Sequence, residues 1–321
     1  MNIRTDLAIE AKELYFETAL EKEAEVPGIV CREEGDNDVR ITTVEVLDQQ
    51  GAEAIGKGVG HYITLEIQGL SQNDPNLLEK SASILATELG KITKKKGLTM
   101  VVGLGNSHIT PDSLGPKVMP RLVVTRHLFS FMPDSVEKLS PVCALAPGVL
   151  GLTGIETGEI IRGVIGRVKP DQVIVIDALA SRRTERVGTT IQIADTGISP
   201  GSGVGNSRKA INAETMGVPV IAIGVPMVVD APTIASDTID HVIETLASGA
   251  SGKFYAMLQE LKNEERYRLI YESLPKEMQN MIVTPKDIDA MADRLATLVA
   301  NGINQCLHPE ITKEEISAFV G

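Results

Sequence analysis

Three apolar runs constrain this chain more than any other feature: TMVVGLG from Thr99, QVIVIDALA from Gln172 and PVIAIGVP from Pro219. Each is rich in β-branched residues, too short for a buried helix, and bounded by glycine, proline or a charged residue. That is the pattern of a strand buried on both faces. Helical periodicity fills the intervals, in TGIETGEIIRGVIGRV and in NSRKAINAETMG. Strands alternating with helices predict an α/β fold, a doubly wound and mainly parallel sheet with flanking helices. Aromatic residues are only 3% of the chain, with no Trp, so the core must be built from Val, Ile, Leu and Ala.

Outside this frame, RITTVEVL and HYITLEI alternate apolar and polar residues like half-buried strands. The Gly-rich DQQGAEAIGKGVG between them reads as a loop, so the pair forms a β-hairpin-like insertion. AIEAKELYFETALEKEAE near the start is helical in composition, as is LLEKSASILATELGKITKKKG, and the region from Asp230 onward is almost entirely helix-like. SLGPKVMPRLVVTRHLF is expected to be a helix interrupted by prolines, and VCALAP and TTIQIADT to be strands. No linker or repeat divides the chain, and one large domain is expected.

Charge and cysteine content narrow the partners. With 43 acidic against 31 basic residues the net charge is −12, which opposes direct binding of nucleic acid through its phosphates. Cys31, Cys143 and Cys306 show no metal-ligand spacing and point to a reducing compartment. No apolar run reaches membrane-spanning length, and the charged opening MNIRTDLAIEAKEL does not have the form of a signal peptide. A soluble intracellular protein is expected.

Ligands of open α/β sheets bind at the carboxyl ends of the strands, and two aspartates occupy such places. Asp112 lies in LGNSHITPDSLGP, after TMVVG, and Asp177 ends the run QVIVI. If the two strands are neighbours, both carboxylates face one crevice, where mutual repulsion keeps one protonated and the other ionised. Such a pair can activate water against an amide. The plain alternative is that each Asp caps the helix after it.

Other motifs carry less. GLGNSH fails the dinucleotide fingerprint at its third glycine, and no acidic residue follows at the expected spacing of ~20 positions. Asp195-Thr-Gly197 resembles the signature of pepsin-like proteases, but those are all-β and need two such motifs, so here it reads as a strand-to-turn feature. PGSGVGN lacks the Lys-Ser/Thr ending of a phosphate loop. His61, His108, His127, His241 and His308 show no paired ligand spacing, although His108 shares a loop with Asp112. No GxSxG is present. Arg182, Arg183 and Arg186 form either a solvated face or a receptor for an acidic substrate side chain.

The stretches IRTDLAIEA, VVGLGN, TPDSLGP, VTRHLF, PGVLGLTGIET, VIDALASR, ERVGTTIQIADTGISPGSGVGN and PVIAIGVPMVVDA together resemble the germination proteases of spore-forming bacteria. These endopeptidases degrade small acid-soluble spore proteins and resemble hydrogenase-maturation proteases in their α/β core. The resemblance runs to about residue 245. By motif it places a catalytic pair on Asp112 and Asp177. Hydrogenase-maturation relatives use a histidine for a metal, and with no equivalent in this sequence no metal or cofactor is expected. It implies a zymogen, a homotetramer, location in the core of the developing and germinating spore, and activation by loss of a short N-terminal segment. Cut sites in the substrates resemble an acid, a bulky apolar residue, Ala, Ser and Glu, with the break after the first acid. Asp6-Leu7-Ala8-Ile9-Glu10 follows it as acid, bulky apolar, Ala, any residue and acid, with Ile9 in place of Ser. This makes residues 1–6 the candidate propeptide, Asp6 and Leu7 the processing site, and residues 7–321 the catalytic domain. Two other functions stay open: a maturation-type processing protease that recognises a bound metal, and a non-catalytic binder of a small anion at the Gly201–Asn206 loop.

Overall fold

The computed structural model describes residues 5–18, 26–72, 74–201, 209–247 and 263–320. Among them nine strands form one sheet in the order β1-β2-β3-β7-β8-β6-β4-β5, with β9 pairing on β8. The strands are β1 (Ile29–Gly35), β2 (Val39–Val46), β3 (Gly60–Ile67), β4 (Thr99–Gly103), β5 (Val142–Leu145), β6 (Gln172–Ser181), β7 (Thr190–Ala194), β8 (Val220–Asp230) and β9 (Ile282–Val283). The α/β expectation holds. The parallel part comprises β8, β6, β4 and β5, while β1, β2, β3 and β7 are joined antiparallel and attached through an antiparallel β7–β8 pair.

Alternation along the parallel strands explains the two helical layers. Val101, Ile174, Ile176, Ile221 and Ile223 face one core, which also holds Leu85 and Leu89 of the Pro75–Ile92 helix and Leu295, Val299 and Ile303 of the Ile288–Leu307 helix. Met100, Val102, Val173, Val175 and Val220 face the other, against Ile161 and Ile165 of the Thr157–Val168 helix. Successive side chains on a strand point to opposite faces, so each continuous apolar run serves both layers. Burying each such side chain contributes roughly 1.5–3 kcal/mol. The C-terminal region, expected as a helical tail, thus supplies a helix packed into the main core.

Three expectations are corrected. NSRKAINAETMG, read as a helix, is helical among the described residues only over Ala213–Met216, because Asn212 caps a short turn there and Ile211 bridges to Ile198. The segment between β2 and β3, read as a loop, contains a Gln49–Ile55 helix. Asp48 caps it by accepting from the Gly51 amide, and Gly56 closes it at φ 65°. Such caps satisfy the orphan groups at the helix ends, and the left-handed closing turn suits glycine. In SLGPKVMPRLVVTRHLF the prolines reduce the expected helix to Leu114–Val118, a 3-10 turn at Met119–Arg121, and a separate turn of helix at Leu128–Phe131.

Candidate active site

β4 and β6 are parallel neighbours, so their carboxyl ends lie side by side. The connection after β4 places Leu114 and Val118 on the face of the C-terminal helix, whereas the Thr157–Val168 helix that leads into β6 covers the other. The strand that follows β4, β5, lies on its far edge, away from β6. A crevice at such carboxyl ends is where open α/β sheets bind their ligands.

Both aspartates stand at that crevice. Gly103, the last residue of β4, pairs with Ile176, so Asp177 is the first residue of β6 beyond the end of its neighbour. Asp177 is buried, 6% exposed, and its Oδ1 accepts from the Ala178 amide at 3.0 Å. Contrary to the expected position at a strand end, β6 continues to Ser181 alongside β8. Asp112 closes a Thr110–Asp112 3-10 turn, and its Oδ2 accepts from the Asn106 amide at 2.9 Å. It does not cap the following helix: Ser113 is the cap residue there and makes no side-chain capping bond. The capping explanation for Asp112 therefore fails.

Glycines let this loop fold down tightly. A Cβ on Gly103 would run into the backbone of Gly115, and one on Gly115 into Leu104. Gly105, at φ 110°, lies against Asp112 itself. Only glycine permits backbone to approach backbone so closely.

A cavity of about 470 Å³ is lined by Asp112, Asp177, Leu104, Pro111 and Ser199. Asp6 lines it too. The Asp6 carboxylate accepts from the Ala180 amide at 3.0 Å, and the Asp6 amide donates to the Ala180 carbonyl at 3.4 Å, so the N-terminal segment lies along the extension of β6. Leu7 is fully buried against Leu179 and Ile198. Thus the structure brings Asp6, Asp112 and Asp177 to one place.

The arginines lie further along the same strand and its following turn. Glu10, fully buried in the Ala8–Thr18 helix, accepts from the amides of Arg182 at 2.8 Å and Arg183 at 3.0 Å and pairs with the Arg186 guanidinium at 3.3 Å. Arg186 also meets Glu13 at 2.6 Å and Glu66 at 3.1 Å, and Arg183 meets Glu13 at 3.2 Å. Burial works against the Arg186 charge, but its three carboxylate partners prevail and raise its pKa. Burial likewise opposes the Glu13 charge, yet the guanidinium bonds hold its pKa below the usual value. The Arg186 side chain is buried and, with the Arg183 side chain and the Arg182 amide, clasps the helix that starts just after Leu7.

Asp195 is elsewhere. It follows β7, and its Oδ1 accepts from the His61 amide while its Oδ2 contacts His61 Nδ1, both at 2.8 Å. That hydrogen bond raises the His61 pKa against a smaller opposing effect of burial. Asp195 is a turn residue, as its isolated motif implied. His108 is exposed, and its amide bonds to Asn106 Oδ1. His308 is buried, with its ring on the Val123 carbonyl. Residues 202–206 of the expected anion loop lie outside the described residues. Among the described residues, no group of three or more His, Cys, Asp or Glu side chains is placed to hold a metal ion, and no helix is long and apolar enough to cross a membrane.

Sequence reasoning missed Lys57. Its Nζ donates to the carbonyls of Thr5 at 3.1 Å and Asp6 at 2.9 Å. The one available signal was a lone lysine in a Gly-rich stretch beside an otherwise helical AEAI, and that stretch read as a loop.

The germination protease family model matches residues 8–253 and 247–320. A germination protease of Caldanaerobacter subterraneus subsp. tengcongensis is 51% identical over all of this chain and 98% of its own length. One from Clostridium acetobutylicum is 49% identical, covering 99% of each chain, and one from Bacillus cereus is 42% identical over 99% of this chain and 97% of its own. Among solved structures, the [NiFe] hydrogenase maturation protease HycI of Thermococcus kodakarensis aligns with 67% of this chain and 98% of its own, at 20% identity and a TM-score of 0.33. With matches that run nearly end to end, the chain belongs to the germination protease family and is a peptidase of spore germination.

Proposed function

We propose that this chain is an aspartic-type endopeptidase in which Asp112 and Asp177 share a proton around a nucleophilic water. The ionised carboxylate takes a proton from the water as it adds to the peptide carbon. The protonated one gives its proton to the departing nitrogen. The observation that carries this reading is the shared cavity of Asp112, Asp177 and Asp6, because it joins a carboxylate pair to the acid that precedes the expected cleavage bond. Its substrates are small acid-soluble spore proteins, met in the spore core, and it works as a homotetramer without a metal or cofactor.

The enzyme is made as a zymogen that cuts its own Asp6–Leu7 bond, so residues 1–6 are the propeptide. In that self-sequence Glu10 stands where a substrate carries its distal acid, and Arg182, Arg183 and Arg186 are proposed to receive that acid. Incubation with an acid-soluble spore protein tests the proposal. Discrete fragments that end in an acid are expected from the wild type and none from the Asp112→Asn or Asp177→Asn proteins. Fragments of another pattern, or equal cutting by the variants, would overturn it.

A further inference from the structure

The peptide group joining Asp6 to Leu7 is held by more than the aspartates. Lys57 Nζ donates to the Asp6 carbonyl at 2.9 Å, and Gln192 Nε2 of β7 reaches the same oxygen at 3.4 Å. The Gln192 side chain also steadies the chain beyond the bond, where its Oε1 accepts from the Ala8 amide at 2.6 Å. Lys57 is fixed by its own backbone, since its amide bonds to the Ala52 carbonyl at the end of the Gln49–Ile55 helix. Asp6 lines the cavity of Asp112 and Asp177 and also the neighbouring one that Lys57 and Gln192 line. Asp6 therefore stands between the cavity of the two aspartates and that of Lys57 and Gln192, with its carbonyl held from the second side.

We infer that Lys57, assisted by Gln192, is the oxyanion-stabilising group of this peptidase, an inference that rests on the reading of Asp112 and Asp177 as the water-activating pair. As water oxygen bonds to the Asp6 carbonyl carbon, the C=O π pair moves onto the carbonyl oxygen, where Nζ meets the developing charge. When the C–N bond breaks, that pair returns to re-form C=O, and the proton delivered by the carboxylate leaves with the Leu7 nitrogen. Lys57 gains and loses no proton. A donor already aimed at the oxygen lowers the barrier because it need not reorganise as charge develops. Desolvation lowers the Lys57 pKa, while the charges of Asp6 and Glu10 favour its ammonium form. A purely structural role, pinning residues 5 and 6 in place, is the competing explanation. It differs in one respect: an anchor matters only while the leader is attached, whereas an oxyanion donor acts on every substrate.

The decisive experiment uses the full-length protein after its leader has been removed, by its own action or by added wild-type enzyme that is then withdrawn. It is assayed on a synthetic peptide containing Asp-Leu-Ala-Ile-Glu. Wild-type kcat should decline at alkaline pH as Lys57 loses its proton. Lys57→Met should lower kcat by about 10²–10³-fold with KM changed less than about twofold, and should abolish that decline. Lys57→Arg should keep part of the activity and move that decline to higher pH, because guanidinium holds its proton there. A wild-type kcat in Lys57→Met would reduce the residue to a leader anchor. If Lys57→Met does not fold, an unchanged alkaline limb in folded Lys57→Arg overturns the inference equally. Persistent cleavage by Asp112→Asn would instead sink the two-aspartate reading. Loss of cleavage in Asp112→Asn with undiminished kcat in Lys57→Met would sink only the role of Lys57.

Discussion

The parallel and antiparallel halves of the sheet each place an aspartate in or beside a turn near a strand end, and they use it differently. After β7, in the antiparallel half, Asp195 spends both carboxylate oxygens on one neighbour, the amide and ring of His61. In the parallel half, Asp112 and Asp177 come from adjacent strand and loop and line one cavity together with Asp6. Under the proposed mechanism a carboxylate at the carboxyl ends of parallel strands does chemistry, while one beside an antiparallel pair serves as a staple. The difference lies in the topology around each residue, since Asp-Thr-Gly is the better-known motif and yet the one that serves structure.

The largest effect that separates the halves is catalytic. Asp112→Asn and Asp177→Asn should each lower turnover by at least about 10³-fold while leaving the fold intact, and the double variant should lose little more, because the two act as a unit. Steady-state kinetics with circular dichroism checks this. Near wild-type turnover in either single variant would remove that residue from the mechanism. Asp195→Asn should retain turnover; its loss in a folded protein would make the halves equivalent after all.

The next effect is on stability. Arg186→Met leaves the buried Glu10 and the half-buried Glu13 without their guanidinium, and breaking such a pair costs about 3–5 kcal/mol, measurable by urea denaturation. The Glu13 pKa is lowered in the fold, so its contribution is complete above the ordinary value of 4.5 and fades as pH falls through the depressed one. The wild type should therefore lose stability on acidification more steeply than Arg186→Met. Parallel acid profiles would show that the cluster does not hold the N-terminal helix.

Recognition of the distal acid gives a smaller effect. A substrate peptide with Gln in place of that Glu should raise KM by about tenfold, in line with the loss of charge-assisted hydrogen bonds. An unchanged KM would confine the arginines to the helix they clasp. The smallest effect belongs to the antiparallel half. The His61 pKa is raised, so its contribution is present below the ordinary 6.5 and lost as pH climbs through the raised value. Asp195→Asn should bring the His61 titration back toward its ordinary position in NMR and cost no more than about 1 kcal/mol, as expected of an exposed pair.

Much of this was legible in the chain. The runs at β4, β6 and β8 announce themselves because burial on both faces demands unbroken aliphatic sequence. The two candidate aspartates stand out as charges within or shortly after such runs. What stayed hidden depends on contacts distant in sequence. β1 went unread because it is an edge strand, half-buried at most, and its CREEG stretch has the charge of a surface loop. The helix at Gln49–Ile55 was masked by its own capping residues, Asp48 and Gly56, which also make the segment resemble a turn. Lys57 gains its meaning only from Asp6, 51 residues away, and Arg186 only from a helix at the other end of the chain. Periodicity reports the layer a residue belongs to; it does not report which loop will fold back onto it.

The most direct test of the account is the N-terminal sequence of the protein after activation, taken for the wild type and for Asp112→Asn in parallel. A wild-type chain that begins Leu-Ala-Ile-Glu-Ala, beside an Asp112→Asn chain that keeps its leader, is the predicted result. A wild-type chain that begins anywhere else, or an Asp112→Asn protein processed identically while alone in solution, would contradict the proposal that this carboxylate pair cuts the chain after Asp6.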